Sequence, residues 1–184
     1  METMRLILRE YDQNDLESVH QYCHDPEVLK YMLWGPNSRH DTRQFIDMAI
    51  SESTQFPRSV YNLAIIEKSS GKLIGGISLS HHQGEGEIGW ILNRRTWKKG
   101  YGTEAAQAMI QFGFESLELN RILATCDTEN TGSSRVMEKC GMIQIEVQKQ
   151  TRLSSHFQTM RDQCIFEITR TSYLNNNKHR TKTV

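Results

Sequence analysis

The spacing of apolar residues changes twice along this chain, and those changes restrict the fold more than any other feature of the sequence. Between positions 60 and 92 apolar residues recur at every second position, the period of a strand with one buried face. Ser69-Ser70-Gly71-Lys72 and Gly84-Glu85-Gly86 interrupt this stretch as turns and divide it into strands over 60–67, 73–81 and 87–92. Hairpin connections this short make the three strands an antiparallel meander. On either side the period lengthens to that of a helix. Phe45, Ile46, Ala49 and Ile50 mark a helix over 41–53. Ala105, Ala106, Met109, Ile110, Gly113 and Phe114 mark the strongest helix, over 102–117.

The remaining segments extend the same pattern. Leu6 and Leu8 alternate in a first strand over 4–9, and Leu16 and Val19 face inward from a short helix over 12–22. Asp25-Pro26 opens another turn, and Trp34-Gly35-Pro36-Asn37 is a loop. A strand over 121–126 precedes a helix over 130–140, which Gly141 stops. Strands to about Gln150 and over 163–169 follow. The expected fold is a mixed α/β sheet with helices on both faces. A length of 184 residues suits one domain, expected over 1–172, with 173–184 a polar tail expected to be disordered.

Charge narrows the partners. The 22 Lys and Arg balance the 22 Asp and Glu, so no nucleic-acid or membrane partner is expected. No apolar run is long enough to span a bilayer, and the first five residues lack a signal-peptide core. Cys23, Cys126, Cys140 and Cys164 form no metal spacing and are expected as thiols in a cytoplasmic protein. His81 and His82 point to opposite faces of a strand, which suits a surface pair and no metal.

One local feature points to a ligand. Gly100-Tyr101-Gly102-Thr103 joins a strand to the strongest helix, directly after the basic run Arg94-Arg95-Thr96-Trp97-Lys98-Lys99. A helix start collects free amides and partial positive charge, and glycines let an anion approach the main chain. The segment suits a pyrophosphate. It also fits the dinucleotide pattern G-x-G-x-x-A, but there the first glycine closes a buried parallel strand, whereas here a charged stretch intervenes. A helix start that binds nothing is the plain alternative.

A wider set of motifs carries a resemblance. Met4-Arg5-Leu6-Ile7-Leu8-Arg9, Leu73-Ile74-Gly75-Gly76-Ile77, Glu87-Ile88-Gly89-Trp90-Ile91-Leu92, Trp97 to Ala105, Leu119-Asn120-Arg121-Ile122, Asn130 to Met142 and Arg161-Asp162 resemble the GNAT superfamily of N-acetyltransferases. They are most similar to its ribosomal-protein N-terminal acetyltransferase (RimJ/RimL) branch. The resemblance implies a mostly antiparallel twisted sheet of about seven strands, splayed in the middle. It implies acetyl-CoA as donor and a primary amine, a protein N-terminus or a small amine, as acceptor, with no metal. A homodimer is common in such families. The amides of Lys98, Lys99, Gly100, Tyr101, Gly102 and Thr103 would bind the CoA pyrophosphate. The pantetheine arm would lie along Ile91, Leu92 and Asn93 in the splay, and Asn130 would touch it or a nearby water. Arg94 and Arg95 either reach the CoA phosphates or are solvated. Tyr31, Trp34 and Asn37 would border the acceptor, or pack as core.

Acetyl transfer needs a neutral amine, so a group must accept a proton, directly or through water. Glu87 is the candidate base; the alternative is a solvated strand-end glutamate. An amide near Ile91 or Leu92 would face the oxyanion. Many family members place a tyrosine seven positions after the asparagine matched by Asn130, where this chain has Met137. Ser133 matches the serine of the RimJ/RimL branch and is either an acid for the CoA thiolate or a helix N-cap. Trp97 is expected to pack beneath the loop. A non-catalytic acyl-CoA-binding module is the alternative function, and a nucleotide-binding oxidoreductase a third.

Overall fold

The first strand, β1 (Leu6–Glu10), buries Leu6 and Leu8 on one face and lies against β2 (Val60–Glu67). A computed structural model describes residues 1–153 and 159–180, the last four of these as backbone only. β2, β3 (Lys72–His82) and β4 (Glu85–Leu92) form the expected meander. The second turn differs from the expectation. Gln83 and Gly84, with φ of 49° and 82°, make the loop, while Glu85 and Gly86 already pair in the strand. Two left-handed residues in succession match the twist of a two-residue hairpin, and Gly84 meets that demand at least cost.

β5 (Arg121–Asp127), β6 (Ile143–Leu153) and β7 (Met160–Thr169) complete a seven-stranded sheet in the order β1-β2-β3-β4-β5-β7-β6. Every neighbouring pair is antiparallel except β4 and β5. The parallel pair follows from the crossover helix α4 (Tyr101–Glu115) that joins them. The outer strand β6 leaves Ile143, Ile145 and Val147 exposed.

Helices cover both faces. On one, α1 (Leu16–Cys23) and α3 (Arg39–Ser53) bury Val19, Tyr22, Ile46 and Ala49 against Ala64 and Ile66. A short α2 (Pro26–Leu29) leads from α1 towards α3. On the other face α4 buries Ala105, Ala106, Met109 and Phe114, with Met137 of α5 (Thr131–Lys139) beside them. Full burial of each large apolar side chain contributes roughly 1.5–3 kcal/mol, so these two clusters hold the helices to the sheet. None of the four cysteines forms a disulfide. No helix among the described residues is long and apolar enough to cross a membrane.

The tail corrects an expectation. α6 (Arg170–Arg180) occupies most of the stretch expected to be disordered; residues 181–184 lie outside the described residues. The polar composition hid one anchor: Tyr173 packs its ring 5.0 Å from Phe114 and donates its hydroxyl to Glu115. Ser172 adds a cap, with its amide bonded to Thr169 Oγ1 and its hydroxyl accepting from the Thr169 amide.

Candidate active site

β4 and β5 pair through only three residues each, Glu85 to Glu87 against Arg121 to Leu123. Beyond Glu87 the strands part. The Asn93 amide bonds to the Ile74 carbonyl of the β3 side. Peptide groups alternate along an antiparallel ladder, so those of Ile88, Trp90 and Leu92 face away from β3 and into the opening. The Leu92 carbonyl accepts the Trp97 indole N–H at 2.9 Å. Trp97 is 41% exposed, so it pins the strand end from the surface and does not pack beneath the loop.

The basic loop ends at this opening. A 3-10 turn over Arg94–Thr96 is capped by Asn93, whose Oδ1 accepts the Arg95 amide. Lys98 and Gly100 then take left-handed φ of 60° and 82°. Left-handed residues in a turn before a helix start are the kind of backbone from which anion-binding nests are built. Gly100 caps α4, and the amides of Tyr101, Gly102 and Thr103 precede the first helical acceptor. A Cβ on Gly102 would stand 3.4 Å from Leu92, 3.6 Å from Val136 and 4.0 Å from Trp90. Gly102 therefore borders the space between β4, α4 and α5, where a Cβ would make ordinary contacts and a longer side chain would intrude.

Arg5 holds the loop in shape from the far end of the chain. Its guanidinium pairs with Glu104 at 2.7 Å, donates to the Lys99 carbonyl at 2.9 Å and lies over the Tyr101 ring. Tyr101 in turn donates its hydroxyl to Glu67. Burial pushes the Glu104 carboxyl up, but bonds from Thr3 and Arg5 outweigh it and hold the group below the usual carboxylate range. Glu104 thus stays an anion answered by Arg5.

On the other side of the opening, Asn130 caps α5 by accepting the Ser133 amide at 3.1 Å. Ser133 is therefore not the cap. Its hydroxyl is half-buried and bonds to none of the described residues. Asp127, at the end of β5, is held by two bonds from Arg161, at 2.5 and 3.0 Å. Burial pushes Asp127 up, yet Arg161 and the Glu129 amide hold it below the usual range.

A cleft of ≈ 320 Å³ opens on the α1 and α3 face of the sheet. Asn62, Gly76, Ser78, Gly89 and Ile91 contribute the sheet side of its lining. Tyr11, Tyr22 and Cys23 line it from the α1 region, Phe45 from α3, and Met32, Trp34 and Asn37 from the α2–α3 connection. Tyr11 and Tyr22 face each other, oxygens 3.3 Å apart. Gly76 makes room for them, since a Cβ there would stand 2.1 Å from Tyr11 Oη. Glu87 lies two residues before Gly89 on the same face. Its side chain is exposed, and its carboxylate hydrogen-bonds to none of the described residues.

Comparison with known proteins gives this geometry a family. Residues 5–143 match the acetyltransferase (GNAT) domain family. The chain belongs to the GNAT acetyltransferase family. Membership brings with it catalytic acyl transfer. YnaD of Bacillus subtilis, named an uncharacterised N-acetyltransferase, is 38% identical over 143 residues, 76% of this chain and 80% of its own length. A GNAT-family acetyltransferase of Bacillus anthracis is 34% identical, with a TM-score of 0.81 over 93% of this chain and 98% of its own. Spermidine N-acetyltransferase from Vibrio cholerae, in complex with CoA and spermine, reaches 0.80 at 18% identity over 94% of this chain and 100% of its own. At that identity the likeness is one of fold and selects no branch of the GNAT family.

Against the GNAT pattern, the expected residues fall into distinct places. Lys98 to Thr103 form the nest and helix start, and Leu92 faces the opening. The Asn93 amide and, by alternation, that of Ile91 face β3. The Trp90 peptide group faces the opening instead. Arg94 does not reach towards the nest but pairs with Asp25 at 3.1 Å, while Arg95 is exposed. Trp34 and Asn37 line the cleft and Tyr31 does not. Tyr31 stacks under Lys30, and its carbonyl accepts Arg152. His81 is half-buried, its ring stacked on Tyr61 and hydrogen-bonded to the Arg58 carbonyl. Tyr11, Tyr22, Phe45, Asn62 and Ser78 were missed. Their inward spacing reads the same for a cleft wall as for core.

Proposed function

We propose that this GNAT enzyme moves an acetyl group from acetyl-CoA to a primary amine by direct attack in a ternary complex. The motifs at Trp97 to Ala105 and Asn130 to Met142 favour the RimJ/RimL branch. The observation that carries the reading is the parting of β4 from β5 directly beside the amide nest at Gly100. The nest and the α4 start suit a diphosphate. The outward peptide groups of Trp90 and Leu92 suit an amide-bearing arm laid alongside as an added strand. Acetyl-CoA supplies the activated acyl carbon.

The residues of this chain then divide the work. The amide of Trp90 or Leu92 faces the developing oxyanion. Glu87 takes the amine proton through water, from the strand face that also carries Gly89. The cleft itself assists, because an uncharged environment disfavours the ammonium form. The Ser133 hydroxyl, free of the capping role, donates to the leaving thiolate. A thiol of ordinary pKa near 8.5 needs only modest help. Cys23 is no acyl carrier: burial pushes its thiol up to about 12, so it holds its proton. The absence of a disulfide at any of the four cysteines suits a reducing compartment such as the cytoplasm.

Two measurements on one sample test this. Calorimetric titration with CoA is expected to give saturable binding. Release of free thiol from acetyl-CoA is expected only when an amine acceptor is present. A folded sample without affinity for CoA overturns the proposal. Binding without turnover across a broad amine panel overturns its catalytic part.

A further inference from the structure

We infer that the acceptor is a primary amine with an apolar, preferably aromatic, body and no second charge. The inference rests on the cleft being the acceptor site proposed above. The rings of Tyr11, Tyr22, Trp34 and Phe45 face the cleft. No Asp, Glu, Lys or Arg lines it among the described residues.

The polar groups that line it are neutral ones, chiefly the amides of Asn37 and Asn62, the Ser78 hydroxyl and the two phenols. Burial holds both phenols above their usual range, so they keep their protons. Of the carboxylates around it, Glu87, two residues before Gly89, is the one assigned above to the reacting amine, and the others named here already have partners. Glu52 accepts the Asn62 side-chain amide at 2.7 Å, and Asp25 is paired with Arg94. A second ammonium, as in a polyamine, would leave water without meeting an opposite charge. Contact with a ring face returns only part of that loss. A carboxylate on the acceptor would fare no better, lacking a cation. An aromatic body, by contrast, gains edge and face contacts from four rings. A volume of ≈ 320 Å³ accepts one small amine, or the first residue of a peptide, whose apolar chemistry is the same.

The test is calorimetry on the full chain, with and without saturating CoA, using 2-phenylethylamine, spermidine, and short peptides beginning with Phe or Glu. 2-Phenylethylamine or the Phe peptide is expected to bind at least tenfold tighter than spermidine and the Glu peptide. Whichever of the two binds tighter distinguishes a free amine from a peptide terminus. Equal or tighter binding of spermidine or the Glu peptide overturns the inference, as does failure of both aromatic amines to bind. The CoA titration on the same sample reports separately on the acetyltransferase reading. Ser78→Asp, which puts a carboxylate into the lining, is expected to shrink the preference for 2-phenylethylamine over spermidine at least tenfold. Phe45→Leu keeps the lining apolar and is expected to weaken 2-phenylethylamine more than n-hexylamine. An unchanged ratio in either folded variant counts against the inference.

Discussion

Gly76, Gly100 and Gly102 show how a missing side chain creates a site. At Gly100 the need is conformational, because φ of 82° lies in the left-handed region. At Gly76 the need is room for Tyr11 Oη, while at Gly102 only a side chain larger than a Cβ would fill the gap lined by Trp90, Leu92 and Val136. Gly102→Val is therefore expected to weaken CoA binding at least tenfold in calorimetry, with a melting temperature within a few degrees of the parent. A Cβ alone meets ordinary contacts, whereas two added methyls fill the gap. Glu87→Gln tests the proton acceptor. Its exposure makes a structural cost small, so kcat is expected to fall by about 10²-fold or more, with CoA affinity unchanged. The pH dependence of the rate is expected to change; an unaltered profile removes Glu87 from the role.

The nest is an element whose shape depends on a partner almost a hundred positions away. Arg5 joins β1 to α4 through Glu104, to the loop through the Lys99 carbonyl, and to the Tyr101 ring. Arg5→Ala removes all three contacts and leaves Glu104, next to the anion site, without its cation. The expected outcome is weaker CoA binding with a steeper dependence on salt, read by titration at two ionic strengths. Retained affinity would show that the loop holds its shape alone. α6 is anchored on a similar principle. Its polar sequence carries one ring, Tyr173, that reaches Phe114 in the core. An aromatic pair contributes about 0.5–1.5 kcal/mol, and the Tyr173 hydroxyl bond to Glu115 adds to it.

On the far side of the splay the half-sheet is tied together by Arg161, which links β7 to Asp127 of its neighbour β5 and to Glu129 before α5. Asp127 is 3% exposed, so loss of its partner leaves a buried charge. Arg161→Ala is expected to cost roughly 3 kcal/mol at neutral pH, measured by urea unfolding. Asp127 titrates below its unfolded value near 3.9, so its contribution is full above that value and is lost as pH falls through the lower folded one. The gap between parent and variant should accordingly narrow below about pH 4. The meander over 60–92, the strongest helix and the glycine-rich helix start were legible in the chain because alternation, turn chemistry and helical period act over a few neighbouring residues. The turn at Gln83–Gly84 was expected over 84–86, since Gly84 and Gly86 both suit the same corner. The three-residue pairing of β4 with β5, the grip of Arg5 on Glu104, the exclusion of Tyr31 from the cleft and its uncharged lining had no local signature. They arise when distant segments are packed against one another, and an inward-facing ring obeys one pattern whether it meets another side chain or an empty cleft.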